Sequence, residues 1–229
     1  MFKKISNIGD CGIICDFGDE VSQKINREVI QLYHYVEKKS LEGVILGIKD
    51  CIPSYNKLII NFDLNIINSK KICKFLYSVD FKNIKIQKKA KDWIIPICYD
   101  FGIDLENISK SLKIDINEII NIHSKTEFFV YMIGFVPGHP FMGDLDSKLF
   151  LNRLKTPRIK VPAGSVGIVE KFCNIYPYES PGGWNIIGKT PLQLFNTKNN
   201  EKPSLLSPGD VVKFKSITKE EFKKINEQK

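Results

Sequence analysis

Two periodicities alternate along the first ninety residues. Ile13–Phe17 is a run of four apolar residues broken only by Asp16, preceded by a Gly9-Asp10 turn, and reads as a strand. After the Gly18-Asp19 turn, Ser22 stands where a helix cap would. Ile25, Val29, Leu32, Tyr33 and Val36 then recur at helical spacing, which predicts a helix over 22–39. Gly43–Ile48 predicts a strand running to a Pro53-Ser54 turn, and Lys57–Phe62 its hairpin partner. Ile66–Leu76 returns to the helical period. Lys82–Lys88 sets Ile84 and Ile86 against lysines, the pattern of a half-exposed or edge strand. The order β-α-β-β-α-β is the ferredoxin-like split arrangement, a sheet with two helices on one face, and places a domain over residues 1–90.

From residue 91 the pattern changes. Trp93–Cys98 is a short strand with Pro96 inside it, hence an edge or crossover piece. Asp104 and Asp115 are set to cap short helices over 105–112 and 116–124, and Phe128–Ile133 is a strand. Two islands dense in glycine, proline and aromatic residues follow, Tyr131–Asp146 and Val161–Phe195. Short strands are predicted at 166–169, 185–187, 192–195 and 211–214, with a polar hairpin at 196–202 and a Ser207-Pro208-Gly209-Asp210 turn. Thr218 is placed to cap a last helix. Many short strands joined by tight turns indicate a closed or nearly closed β-barrel over 91–229. The class is α+β.

Composition narrows the function. Of 229 residues 43% are hydrophobic and 11% aromatic, enough for real cores. The net charge of +8 is dispersed: 15 basic against 10 acidic side chains in residues 1–90, and 19 against 16 afterwards. Arginine occurs only at 27, 153 and 158, so the chain lacks the clustered basic stripe of a nucleic-acid binder. No long apolar run predicts a membrane span, and the lysines of the first ten residues lack the apolar segment of a signal peptide. Cys11, Cys15, Cys51, Cys73, Cys98 and Cys173 form no paired metal-ligand spacing and read as reduced thiols of a cytoplasmic protein. No dinucleotide fingerprint and no Walker loop is present, and no metal site is expected.

Candidate chemistry gathers in the second half. His34 reads as packing or surface. His123 and His139 are proton carriers by type, although a helix end and a turn equally explain them. Ser165 lies in Gly164-Ser165-Val166-Gly167, which lacks nucleophile-elbow spacing; the turn is either structural or an amide nest for an anion. Trp184, after Pro181-Gly182-Gly183, is either a pocket wall or a core ring. Arg158, Lys160 and Lys189 could form a cationic rim.

Several motifs then align with a known pattern: Gly134-Phe135-Val136-Pro137-Gly138; Pro157-Arg158 followed by Val161-Pro162-Ala163-Gly164-Ser165-Val166-Gly167-Ile168; Ile175-Tyr176-Pro177; Ser180-Pro181-Gly182-Gly183-Trp184; Ile187-Gly188-Lys189-Thr190-Pro191; and Leu205–Asp210. On these the chain resembles the 5-oxoprolinase B-subunit family, also described as allophanate hydrolase subunit 1 and as the sporulation kinase inhibitor family. The resemblance implies an N-terminal α/β domain followed by a cyclophilin-like β-barrel. It also implies a part in an ATP-dependent conversion of 5-oxo-L-proline and water to L-glutamate, with ADP and phosphate released. ATP, with Mg2+, would be a co-substrate. A protein like the family's C subunit would be the partner in a complex that activates the lactam, and one like its A subunit the completing component. Two alternatives stay within the resemblance: an inhibitor that docks on a sensor histidine kinase, and a subunit of a urea- or allophanate-processing enzyme. The implied catalytic residues are His123, for proton transfer, and Arg158, for a substrate carboxylate or phosphate. The implied substrate-binding residues are Gly164, Ser165, Gly183, Trp184 and Lys189. Departures from the pattern fall at His139, Phe141, Met142, Asn152, Glu170, Phe172, Cys173 and Asn174, and Lys189 replaces an arginine, keeping charge and losing the planar fork.

Overall fold

Alternation of buried and half-buried residues along Lys57–Phe62 (β4) points Leu58, Ile60 and Phe62 to one side of a sheet. The computed structural model, which describes residues 2–84 and 90–227, shows what covers that side. The chain divides into two compact units, Met1–Lys89 and Ala90–Lys229.

In the first unit β1 (Lys4–Ile8) and β2 (Gly12–Asp16) form a hairpin. Helix α1 (Gln23–Leu41) leads to β3 (Ile48–Pro53), then β4 and helix α2 (Ser69–Tyr77). The sheet order is β1-β2-β4-β3, so β4 is inserted between the two strands that flank α1, the split β-α-β arrangement. Val29, Leu32 and Val36 of α1 and Ile72 and Leu76 of α2 share one core with Ile13, Cys15, Leu58, Ile60 and Phe62. The Ser22 hydroxyl caps α1 by accepting from the Ile25 amide.

Two strands differ from expectation. β3 starts where the predicted strand Gly43–Ile48 ends. Gly43 and Gly47 both take positive φ, and the amides of Gly43, Val44 and Ile45 bond back to the last turn of α1. Those residues therefore unwind the helix and leave Val44 and Leu46 exposed. The edge position beside β2 is held by β1, which the sequence pattern did not separate from β2. The predicted strand Lys82–Lys88 falls largely on residues 85–88, outside the described residues, while Phe81–Asn83 is a single 3-10 turn.

The second unit is a nearly closed barrel. Its strands are β5 (Asp92–Ile97), β6 (Phe128–Ile133), β7 (Pro140–Gly143), β8 (Arg158–Val161), β9 (Ser165–Val169), β10 (Phe172–Ile175), β11 (Ser180–Gly182), β12 (Asn185–Lys189) and β13 (Val211–Ser216). Helices α3 (Leu105–Leu112), α4 (Ile116–Lys125) and α5 (Lys219–Glu227) complete it. The seven-stranded sheet runs β12-β9-β10-β7-β6-β13-β5, and β8 pairs with β11 as a separate ribbon. The two edges of the large sheet meet at one bridge. The Cys98 amide donates to Lys189 O at 2.8 Å and the Lys189 amide to Cys98 O at 3.0 Å, so little edge is left open there. Residues 192–195, predicted as a strand, make only the isolated bridge Phe195–Ser204 at the base of the polar hairpin.

One turn fastens the start of this unit to its end. The buried carboxylate of Asp210 accepts from the Lys91 amide at 3.0 Å, the Trp93 indole at 2.9 Å and the Ser207 amide at 2.9 Å. β5 then runs parallel to β13. Ile108 of α3 and Ile119 of α4 join Val130, Met142, Ile168 and Phe214 in the barrel core.

Candidate functional site

The sequence-predicted residues occupy three places in the barrel unit. His123 lies inside the core. It is fully buried in the last turn of α4, beside the rings of Phe128 and Phe214. Nδ1 is 2.8 Å from the Tyr99 hydroxyl and Nε2 is 3.7 Å from Cys173 Sγ, so each ring nitrogen has a partner. Burial lowers its pKa to about 3, which makes the ring neutral at pH 7. No nitrogen of His123 faces solvent in this arrangement.

The second place is β11 with the turn at Gly183-Trp184 that follows it. Here Gly182 serves close approach rather than an unusual backbone angle, while Gly183 has ordinary room. A Cβ on Gly182 would overlap the Tyr176 hydroxyl, and one on Gly183 would stand 3.5 Å from the Arg153 guanidinium. Arg158 reaches the same turn, its Nη1 donating to Trp184 O at 3.5 Å. Two of the chain's three arginines thus converge on one turn. Arg158 also pairs with the buried carboxylate of Asp104, whose second oxygen accepts from the Ile186 amide at 2.6 Å. Asp104 was expected to cap α3 with its side chain. It holds the N-cap position with no side-chain cap bond, because both oxygens are taken by β8 and β12.

Behind Trp184 the aromatic rings continue. Phe141 packs edge-on at 6.1 Å from Trp184, and His139 stacks on Phe141 at 4.9 Å. His139 is buried, its Nε2 is 3.0 Å from Asn174 Nδ2, and burial lowers its pKa to about 4. The two polar departures at 139 and 174 are therefore one contact across β7 and β10.

The third place is an open cleft of about 290 Å³. Gly164, Pro177, Lys189, Gln193, Phe222 and Asn226 are among the residues lining it. Gly164 has φ +80°, and a Cβ there would overlap Thr190 O. The Lys189 stem lies alongside, at ordinary contact distance from that Cβ position. Ser165 is buried beside this cleft. The Gly164 amide donates to Tyr176 O at 2.7 Å and the Ser165 amide to Pro162 O at 3.2 Å. Both amides are thus bonded within the barrel, and Lys189 lines the open cleft beside them.

The structure thus unites Arg158, Gly183 and Trp184 at one turn and Gly164, Ser165 and Lys189 at another, and leaves His123 apart from both. β12 joins the two turns, since Trp184 precedes it and Lys189 ends it. Arg153 is the functional candidate that sequence reasoning passed over. Its signal was its rarity among so many lysines. No group of three His, Cys, Asp or Glu among the described residues is placed to hold a metal ion.

A profile for the carboxyltransferase domain, subdomains C and D, matches residues 3–206. The 5-oxoprolinase B subunit of Bacillus subtilis (strain 168) is 35% identical over 243 residues, which cover 98% of this chain and 97% of that one. The chain belongs to the 5-oxoprolinase B-subunit family, also described as allophanate hydrolase subunit 1. The family member from Haemophilus influenzae, also a 5-oxoprolinase B subunit, is 33% identical over 90% of this chain and 94% of its own. Among solved structures, TTHA0988 superposes with a TM-score of 0.79 at 31% identity over 91% of this chain. This chain spans 40% of TTHA0988, so there the family fold is part of a longer polypeptide. No helix among the described residues is long and apolar enough to cross a membrane.

Proposed function

We propose that this chain is the B subunit of an ATP-dependent 5-oxoprolinase, which converts 5-oxo-L-proline, ATP and water into L-glutamate, ADP and phosphate. One observation carries the reading: the match to the Bacillus subtilis B subunit runs end to end in both chains. The chemistry explains why such a protein needs partners. A lactam carbonyl is a poor electrophile, and transfer of a phosphoryl group to its oxygen makes that oxygen a leaving group. Groups that hold developing negative charge must then surround it.

ATP, with Mg2+, enters as a co-substrate. The cleft beside Gly164 does not fit a triphosphate: one lysine lines it, and the Gly164 and Ser165 amides bond within the barrel. We assign nucleotide binding to the complex with a partner of the C-subunit type, and completion of ring opening to a protein of the A-subunit type. The part proposed for this chain is to hold and orient the lactam acid. Lys189 and Gly164 border open space, while Arg153, Gly183 and Trp184 present a guanidinium and a half-buried ring. Arg158 orients that turn through Asp104, and His123 and Ser165 act from within the barrel by fixing α4 and β9.

The test is reconstitution with the A and C components, following 5-oxoproline-dependent release of ADP and formation of glutamate. The expected result is turnover that requires all three components. If the folded mixture stays silent, yet turns over when the Bacillus subtilis B subunit replaces this chain, the reading is wrong.

A further inference from the structure

We propose that the cleft between the Gly164 turn and helix α5 is the seat of the substrate, and that it selects a small cyclic amide bearing one carboxylate. The inference rests on the oxoprolinase reading and adds where and by which side chains the lactam is held. The cleft is open, and its volume of about 290 Å³, near the lower bound for small-molecule sites, gives room for a single small ring. Among the described residues Lys189 is the only charged one lining it, so the cleft is matched to one negative charge. That cation is well placed. The Lys189 backbone closes the barrel against Cys98 through two hydrogen bonds, and its stem lies alongside Gly164.

The remaining lining suits the rest of such a ligand. Gln193 and Asn226, both carboxamide residues, are among those lining it. A carboxamide offers an N–H and a C=O side by side, complementary to the N–H and C=O of a lactam. Pro177 and Phe222 supply apolar wall for the two ring methylenes. Phe222 is itself fixed, packing edge-on at 4.9 Å from Phe101. The α5 wall lies beyond residues 3–206, the extent of the carboxyltransferase match. The charge-holding side of the cleft therefore comes from the shared fold, and one discriminating wall comes from the C-terminal helix.

Two measurements separate this inference from the reading beneath it. In the reconstituted complex, Lys189→Met is expected to raise KM for 5-oxo-L-proline about tenfold or more, as loss of a charge-assisted hydrogen bond does, and Lys189→Arg to restore it to within about threefold. Gln193→Leu is expected to raise KM roughly threefold to tenfold with kcat little changed, since it removes binding shared by ground and transition states. Separately, the full chain labelled with 15N is titrated with 5-oxo-L-proline and with cyclopentanecarboxylate, which has the acid and lacks the amide. Saturable shifts at the Gln193 and Asn226 side-chain amides are expected with the lactam, and weaker ones with the control. A complex that turns over 5-oxoproline with KM unmoved by Lys189→Met and Gln193→Leu overturns the cleft and leaves the reading standing. A silent complex with lactam shifts that Lys189→Met abolishes overturns the reading and upholds the cleft. Silence in both overturns both.

Discussion

Replacing Arg158 by methionine keeps most of the side-chain length and removes the guanidinium that faces Asp104. What remains is a carboxylate almost fully buried, with the Ile186 amide at 2.6 Å as its other partner. Breaking a buried ion pair by removing one member costs about 3–5 kcal/mol. The Arg158 side chain retains 27% exposure, so water can reach the vacated position, and we take about 2–3 kcal/mol. Asp104→Asn keeps an acceptor for Ile186 and gives up the charge, a loss of about 1–2 kcal/mol. In the double variant no uncompensated charge is left, so its cost falls short of the two singles combined by about 1–2 kcal/mol. The assay is unfolding in urea followed by tryptophan fluorescence. Trp93 and Trp184 are the only two tryptophans, both in the Ala90–Lys229 unit, so the signal reports the unit that carries the pair. With a slope of about 2 kcal/mol per molar, Arg158→Met moves the midpoint down by roughly 1 M. An unmoved midpoint, or a strictly additive double variant, refutes the orienting role given to Arg158 and returns it to the set of groups available to substrate.

Acid should weaken the barrel before its carboxylates titrate. Burial depresses His123 to about 3 and His139 to about 4, below the ordinary value of 6.5, so the unfolded chain takes up protons first as pH falls. Stability is fully present above about pH 6.5 and is lost toward pH 4, with a slope of up to about 1.4 kcal/mol per pH unit for each histidine. Urea midpoints at pH 7, 6 and 5 measure it; His139→Phe should halve the slope, and a flat profile would contradict the burial of both rings. Gly182→Ala drives a methyl into the Tyr176 hydroxyl, an overpacking cost of about 1–3 kcal/mol. Tyr176→Phe in the same chain should recover part of it, and a neutral Gly182→Ala would show that the hydroxyl does not sit against the turn.

Five of the nine described strands of the barrel unit were legible from apolar runs and turn chemistry, while β7, β8, β10 and β11, only three or four residues each, were not. Phe128–Ile133 and Ser207–Asp210 need no long-range information, and the predicted helices at 22–39 and 116–124 match α1 and α4 within a few residues. What escaped depends on partners distant in sequence. The capping expected of Asp104 is a local rule, and a guanidinium 54 residues away overrode it. Gly43–Ile48 has strand-like residues, but Gly43 serves the end of α1 and Gly47 takes positive φ against Ile66 and Ile67. At the candidate site, sequence named residues without their surroundings. It could not show that the Gly164 and Ser165 amides are bonded within the barrel, that His123 is sealed, or that Phe222 of the last helix borders Lys189. Each of those facts belongs to the closed fold.

The parallel pair β5–β13 bears on how the chain is born. The Lys91 amide and the Asp210 carboxylate are 119 residues apart, and β5 has only β13 as its full-length neighbour. On a ribosome adding about 5–20 residues per second, the first strand of the barrel waits roughly 10 s for its neighbour to be made. The Met1–Lys89 unit, whose sheet and helices are complete within its own span, has by then already left the exit tunnel. Nascent chains that stop short of residue 211 leave β5 without a partner and one side of β6 unpaired. Such fragments expose an unpaired strand edge, the kind of surface that makes folding intermediates aggregation-prone, until β13 arrives.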